Sequence, residues 1–217
     1  MLSAVALAVL VQIPPSEQLA RESFGAHMLQ HVVLMSFVPP LLLLGWPRAR
    51  RFHVEPWSAW LGIAVVMGVW HIPWLYDLTL RHVALHVAEH ASLIAFGILF
   101  WIPVLFGRLD ALRSVVYVIA GSVPGWILAL VLTFAQRPLY PAYAALPHRL
   151  GGLSALADQQ AAAGVMVAIG SIPFAIAVFV YLYRWLESER TPARTKATLQ
   201  APMSVATTNI AASKFMK

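Results

Sequence analysis

Five apolar stretches, each about 20 residues or longer, constrain this chain more than anything else in it. They cover roughly 26–46, 57–76, 83–106, 114–135 and 160–186. About 20 apolar residues in a helix cross a hydrocarbon core of ~30 Å. Inside that core each backbone N–H and C=O must find its partner within the protein, which a helix achieves alone. The stretches are too long for strands and periodic enough for helices. Composition agrees: only 11% of residues are charged and 60% are hydrophobic, with a mean hydropathy of +0.73, whereas soluble domains carry roughly 25% charged residues. The expected fold is an all-α, polytopic transmembrane bundle of five full spans. Residues 1–13, "MLSAVALAVLVQI", reach only about 20 Å as a helix. They lack the basic start and small-residue cleavage site of a signal peptide and read as a short N-terminal span, cut off at its beginning. The bundle is expected over 1–188. Residues 189–217, polar and rich in Ala, Thr and Ser, are expected to form a disordered cytoplasmic tail.

Charge gives the bundle a direction. The net charge is +6, but the arginines gather at helix ends and form no nucleic-acid footprint. Arg48, Arg50 and Arg51, then Arg108 and Arg113, then Arg184, Arg190, Arg194 and Lys196 fall on alternate connections, hence on one side of the bilayer. The positive-inside rule makes that side, and the C-terminus, cytoplasmic. Residues 14–25, 77–82 and 136–159 then face outward. Prolines 39, 40, 73, 103, 124 and 173 lie within spans and are expected to kink them. Tryptophans 46, 57, 70, 74, 101 and 185 lie near span ends, as an interfacial belt does.

On that topology seven of the eight histidines share the outer face. His27 and His31 open the first full span in "HMLQH". His82, His86 and His90 open the third. His71 approaches the outer end of the second, and His148 lies in the outer loop. His53 alone is cytoplasmic. A spacing of four puts His27 with His31, and His86 with His90, on one helical face. Imidazole is the commonest metal ligand, binding as the neutral ring. Three or four rings from neighbouring helices can close around one ion, and a bound metal resolves the repulsion that a protonated set would suffer. The candidate metal ligands are therefore His27, His31, His71, His86 and His90. His82, at a loop junction, and His148, among prolines, fit ordinary interfacial residues better. The chain has no cysteine, which excludes thiolate sites and disulfides. Met28 and Met35 can offer soft thioether sulfur to Cu(I). "HVAEH" at 86–90 matches the inverted zinc-protease pattern, with Glu89 as base; a second role for Glu89 is to fix a histidine tautomer. Asp77 and Asp158 lie on the same outer side, either as outer partners of the site or as helix and loop caps.

Taken in order, "HMLQH", "PPLLLLG", "WHIPWLYD", "HVAEH" with "LFW", "RPLYP" and "LADQQAAAGVM" resemble the integral-membrane CtaG family of cytochrome c oxidase assembly factors. The resemblance covers about residues 14–186. It implies a bacterial plasma-membrane protein that helps mature a haem–copper oxidase, with copper as the cargo. The implied partners are cytochrome c oxidase subunits, a periplasmic copper donor and the lipid bilayer, with no nucleic acid. The family-matching residues are His27, His31, His71, His86 and His90, beside Asp77, Glu89 and Asp158. A non-enzymatic role is expected, since ligand exchange with a partner needs no turnover. Two alternatives come from other classes: a haem protein with two histidine axial ligands, and an intramembrane zinc peptidase built on His86, Glu89 and His90.

Overall fold

In the computed structural model the protein is described over residues 1–107 and 109–200, with side chains described through 190. The described residues contain helices and connections but no strand. Four helical segments are long and apolar enough to cross a membrane: Phe24–Leu44, Val83–Leu105, Ala111–Phe134 and Ala155–Arg190. Two bent helix pairs raise the number to six if each is one span. The polytopic helical bundle expected from the apolar stretches is the observed fold.

Proline chemistry decides where the helices break. α1 (Leu2–Leu10) and α2 (Pro14–Glu22) meet at 49°. Pro14 and Pro15 open α2, where the missing N–H costs no helical hydrogen bond. α3 (Phe24–Val32) continues into a π-helical turn, Val33–Phe37, and then α4 (Val38–Leu44). The rings of Pro39 and Pro40 would collide with carbonyls four residues earlier, and the wider π turn accommodates them. Residues 57–76, expected as one span, form instead α5 (Pro56–Trp70) and α6 (Pro73–Thr79), bent by 79°. Pro73 has a fixed φ and no N–H, so the helix must end before it. His71 consequently sits at the C-cap of α5 rather than within a span.

α7 (Val83–Leu105) and α8 (Ala111–Phe134) follow, then the short α9 (Pro141–Ala144) in the connection after α8. α10 (Ala155–Ala168) starts at a Ser154 cap, and after a break α11 (Ile172–Gln200) completes the described chain. Of the tail expected over 189–217, residues 189–200 continue α11 as helix, and residues 201–217 lie outside the described residues. Large apolar side chains such as Ile127, Phe134 and Phe179 point outward, the last 72% exposed, as a lipid-facing surface requires.

α3 packs on α10, α8 on both α10 and α11, and α7 on α4 and α5. Gly97 of α7 permits its approach to the first full span: a Cβ there would come within 2.6 Å of the Pro39 side chain and 2.8 Å of the Met35 carbonyl oxygen. Two buried clusters result. One gathers Leu43, Phe100, Trp101, Tyr117 and Phe174, with Phe100 stacked on Tyr117 at 4.8 Å between ring centroids. The other gathers Phe24, Met28, Leu132, Tyr76, Tyr140 and Tyr143 and adjoins the histidines.

Candidate metal centre

α3 and α7 each carry histidines one turn apart, and the bundle sets these two helical faces toward each other. His27, His31 and His90 are almost wholly buried, and Glu89 is fully so. One ligand atom from each of these four residues lies within 4.8 Å of the others. The rings of His27 and His31 are 4.5 Å apart, those of His31 and His90 5.3 Å, and those of His86 and His90 4.1 Å.

Neighbouring groups set the ring tautomers. The Tyr143 hydroxyl donates to the Ala20 carbonyl at 2.7 Å and lies 2.8 Å from His27 Nδ1. Its proton being committed, it accepts from His27 Nδ1–H, which leaves the lone pair on Nε2. Burial, first of all, pushes the Tyr143 phenol well above its ordinary range, so it remains a hydroxyl. Gln12 donates its amide N–H to Ala8, and its oxygen faces His90 Nδ1 at 3.5 Å; His90 too keeps its lone pair on Nε2. His71 Nδ1 donates to the Met67 carbonyl at 2.7 Å, and Nε2 faces the Met28 sulfur at 3.4 Å. Partners on one ring nitrogen that leave the other bare are characteristic of metal-ligating histidines.

Unpartnered atoms collect in this place. Among the described residues, twelve buried side-chain N and O atoms lack a hydrogen-bond partner, and eight belong to His27, His31, His86, Glu89 and His90. Glu89 Oε1 stands 3.6 Å from His31 Nε2 and Oε2 stands 3.6 Å from His86 Nδ1, beyond hydrogen-bonding range. Buried polar groups normally find partners, so a concentration of exceptions on nitrogen and carboxylate oxygen matches the donor set of a cation.

The family model of the cytochrome c oxidase caa3 assembly factor, Caa3_CtaG, matches residues 2–188. The chain belongs to this family. It is thus a cytochrome c oxidase assembly factor, as its ordered motifs suggest. Neither a curated protein nor a solved structure matches it.

The assembly factor distributes its sequence-marked residues unevenly. His27, His31, His90 and Glu89 converge. His71 lies one layer away, its ring 5.7 Å from that of His31, with Met28 beside it. His86 stands at the partly exposed edge of the group, 3.4 Å from Glu17. Asp77 and Asp158 serve elsewhere. Asp77 accepts from the Ala142 amide and so anchors α9. Asp158, three residues into α10, accepts from the Ser23 hydroxyl and from the Phe24 and Gly25 amides at the start of α3. It caps a helix, but not its own: Ser154 does that. His53, His82 and His148 are exposed.

Four residues around the centre lie outside the ligand set read from the sequence, although Tyr140 falls within "RPLYP". Tyr143 orients His27, Gln12 meets His90, Glu17 meets His86, and Tyr140 donates to the carbonyl of His71 at 3.0 Å, satisfying the end of α5. The available signal was weak: Glu17 is one carboxylate in a chain with nine acidic residues in all, and the tyrosines lie at i and i+3 in "YPAY".

Proposed function

We propose that this assembly factor holds copper in the cluster formed by His27, His31, Glu89 and His90 and passes it to cytochrome c oxidase. The observation that carries the proposal is the convergence of four buried ligand atoms within 4.8 Å, with the Nδ1 atoms of His27 and His90 engaged by Tyr143 and Gln12 so that Nε2 is left to bind. A set of imidazoles with one carboxylate suits copper or zinc; the adjoining His71–Met28 pair, an imidazole facing a soft thioether, favours Cu(I). Without thiolates the ion is held loosely enough to leave, as cargo must. Transfer is ligand exchange, with copper as the substrate moved. The family suits a bacterial plasma-membrane protein, and the arginine distribution supports a cytoplasmic C-terminus. The centre then faces the periplasm, where a copper donor and the oxidase can both reach it.

Glu89 sits between two imidazoles and is wholly buried, which suits a ligand or charge partner better than a general base that must meet a peptide. The test is metal analysis of purified protein, with and without added Cu(I). Wild type should take up about one copper per chain. His31→Gln and His90→Gln should lower affinity by at least the 10–100-fold typical of disturbing a metal's surroundings (~10–100), and cells carrying them should lose oxidase activity at limiting copper. His53→Gln, exposed and distant, should be silent. An intense Soret band with no copper uptake would overturn the proposal in favour of haem.

A further inference from the structure

A second ligand group adjoins the buried one. Glu17, His86 and His90 also bring one ligand atom each within 4.8 Å of one another. Two of the three reach the surface, unlike the inner four: the Glu17 and His86 side chains are 24% and 20% exposed, while His90 is buried. They border a hollow of about 410 Å³ whose lining includes Gln12, Glu17, Arg21, His27, Arg81 and His86. Its wall therefore runs from the exposed Arg21, in the last turn of α2, and Arg81, in the turn before α7, to a ring of the buried cluster. Glu89 joins the groups, with one oxygen 3.6 Å from His31 and the other 3.6 Å from His86.

We propose that Glu17, His86 and His90 form a loading port, through which a copper ion passes between the outside and the buried cluster, with His90 common to both. This rests on the copper reading above and adds the route. His90 Nδ1 faces Gln12, so Nε2 is the ring atom left for either group. One ion therefore occupies the two groups in turn rather than two ions at once. Moving inward, the ion keeps its bond to His90, breaks its bonds to Glu17 and His86, and forms bonds to His27, His31 and Glu89. The released carboxylate and imidazole recover their lone pairs. No electron moves, and no proton has to leave His27, whose Nε2 is already bare. Glu89, in reach of both sides, balances the charge during the passage. Arg21 and Arg81 at the rim repel a free cation, so the port favours copper that arrives complexed by an anionic carrier.

The test uses the full chain, metal-free in lipid nanodiscs, mixed with the anionic Cu(I)–bicinchoninate complex. The decay of its colour reports loading, and excess bathocuproine disulfonate reports release. Glu17→Gln and His86→Gln should slow loading and release together, by about tenfold for ~1.4 kcal/mol added to the passage, while bound copper at equilibrium stays near one per chain. Wild-type rates in both variants would overturn the port. So would two coppers on one wild-type chain, or a loss of equilibrium uptake in Glu17→Gln, which would make Glu17 a ligand of the resting site. A wild-type chain that takes up no copper would instead defeat the copper reading itself.

Discussion

Asp158 is the position at which one substitution tests how the fold holds the centre in place. Its carboxylate is 2% exposed and accepts from the Ser23 hydroxyl at 2.7 Å, the Phe24 amide at 2.8 Å and the Gly25 amide at 3.1 Å. These amides are among the first-turn donors of α3 that no helical carbonyl can satisfy, and a negative charge there also faces the positive end of the helix dipole. In Asp158→Asn the amide oxygen can still accept from Ser23 and Gly25, but an NH₂ replaces the oxygen that served Phe24, so two donors confront each other. One charge-assisted bond is lost, worth about 1.5–3 kcal/mol, and the helix-dipole contribution of about 0.3–1 kcal/mol goes with it. The expected cost is about 3 kcal/mol. Asp158→Ala strands all three donors and should cost more. Steric-trapping unfolding in bicelles would measure the loss. Because α3 carries His27 and His31, copper affinity should also weaken, although Asp158 touches neither ring. A cost under about 0.5 kcal/mol in Asp158→Ala, the level of an ordinary surface change, would refute the cross-helix cap.

Tyr143→Phe keeps the ring but removes the hydroxyl between His27 and Ala20; copper affinity should fall about 10–100-fold, read by competition with a chromogenic chelator, while helix content is retained. Gly97→Ala places a methyl against the Pro39 side chain and the Met35 carbonyl and should cost about 1–3 kcal/mol as overpacking, read by the same unfolding assay. Glu55 caps α5 by accepting from the Trp57 and Ser58 amides, and these backbone bonds hold its carboxyl below the ordinary range. A depressed carboxyl stabilises the fold above the ordinary carboxylate range, and that stability fades as pH falls through its lowered value. Amide exchange at Trp57 and Ser58 should therefore rise in acid, measured relative to base-catalysed intrinsic rates, and Glu55→Gln should remove the dependence. Acid should also strip copper, because protons compete for the same imidazole lone pairs; a binding isotherm that does not weaken with falling pH would contradict imidazole ligation.

The helical class, the membrane habit and the pairing of histidines were all legible in the sequence, because they depend on local quantities. Apolar length sets what can cross a bilayer, and a spacing of four sets what shares a helical face. His27 with His31, and His86 with His90, needed nothing else. Breaks were less legible. Pro73 marks a kink, but whether the chain resumes as a span or turns by 79° depends on what packs beneath it, here Tyr140 bonded to the freed carbonyl of His71. Only the tertiary structure decided which turn of α3 faces which turn of α7, and thus that Glu89 stands between His31 and His86 while His71 falls a layer outside. It also decided the parts played by Asp158, Tyr143 and Glu17. Asp158 lies 135 residues from Ser23, and Tyr143 lies 116 from His27. No periodicity links positions that far apart; they meet only because α10 packs on α3 and the loop bearing α9 brings Tyr143 to His27.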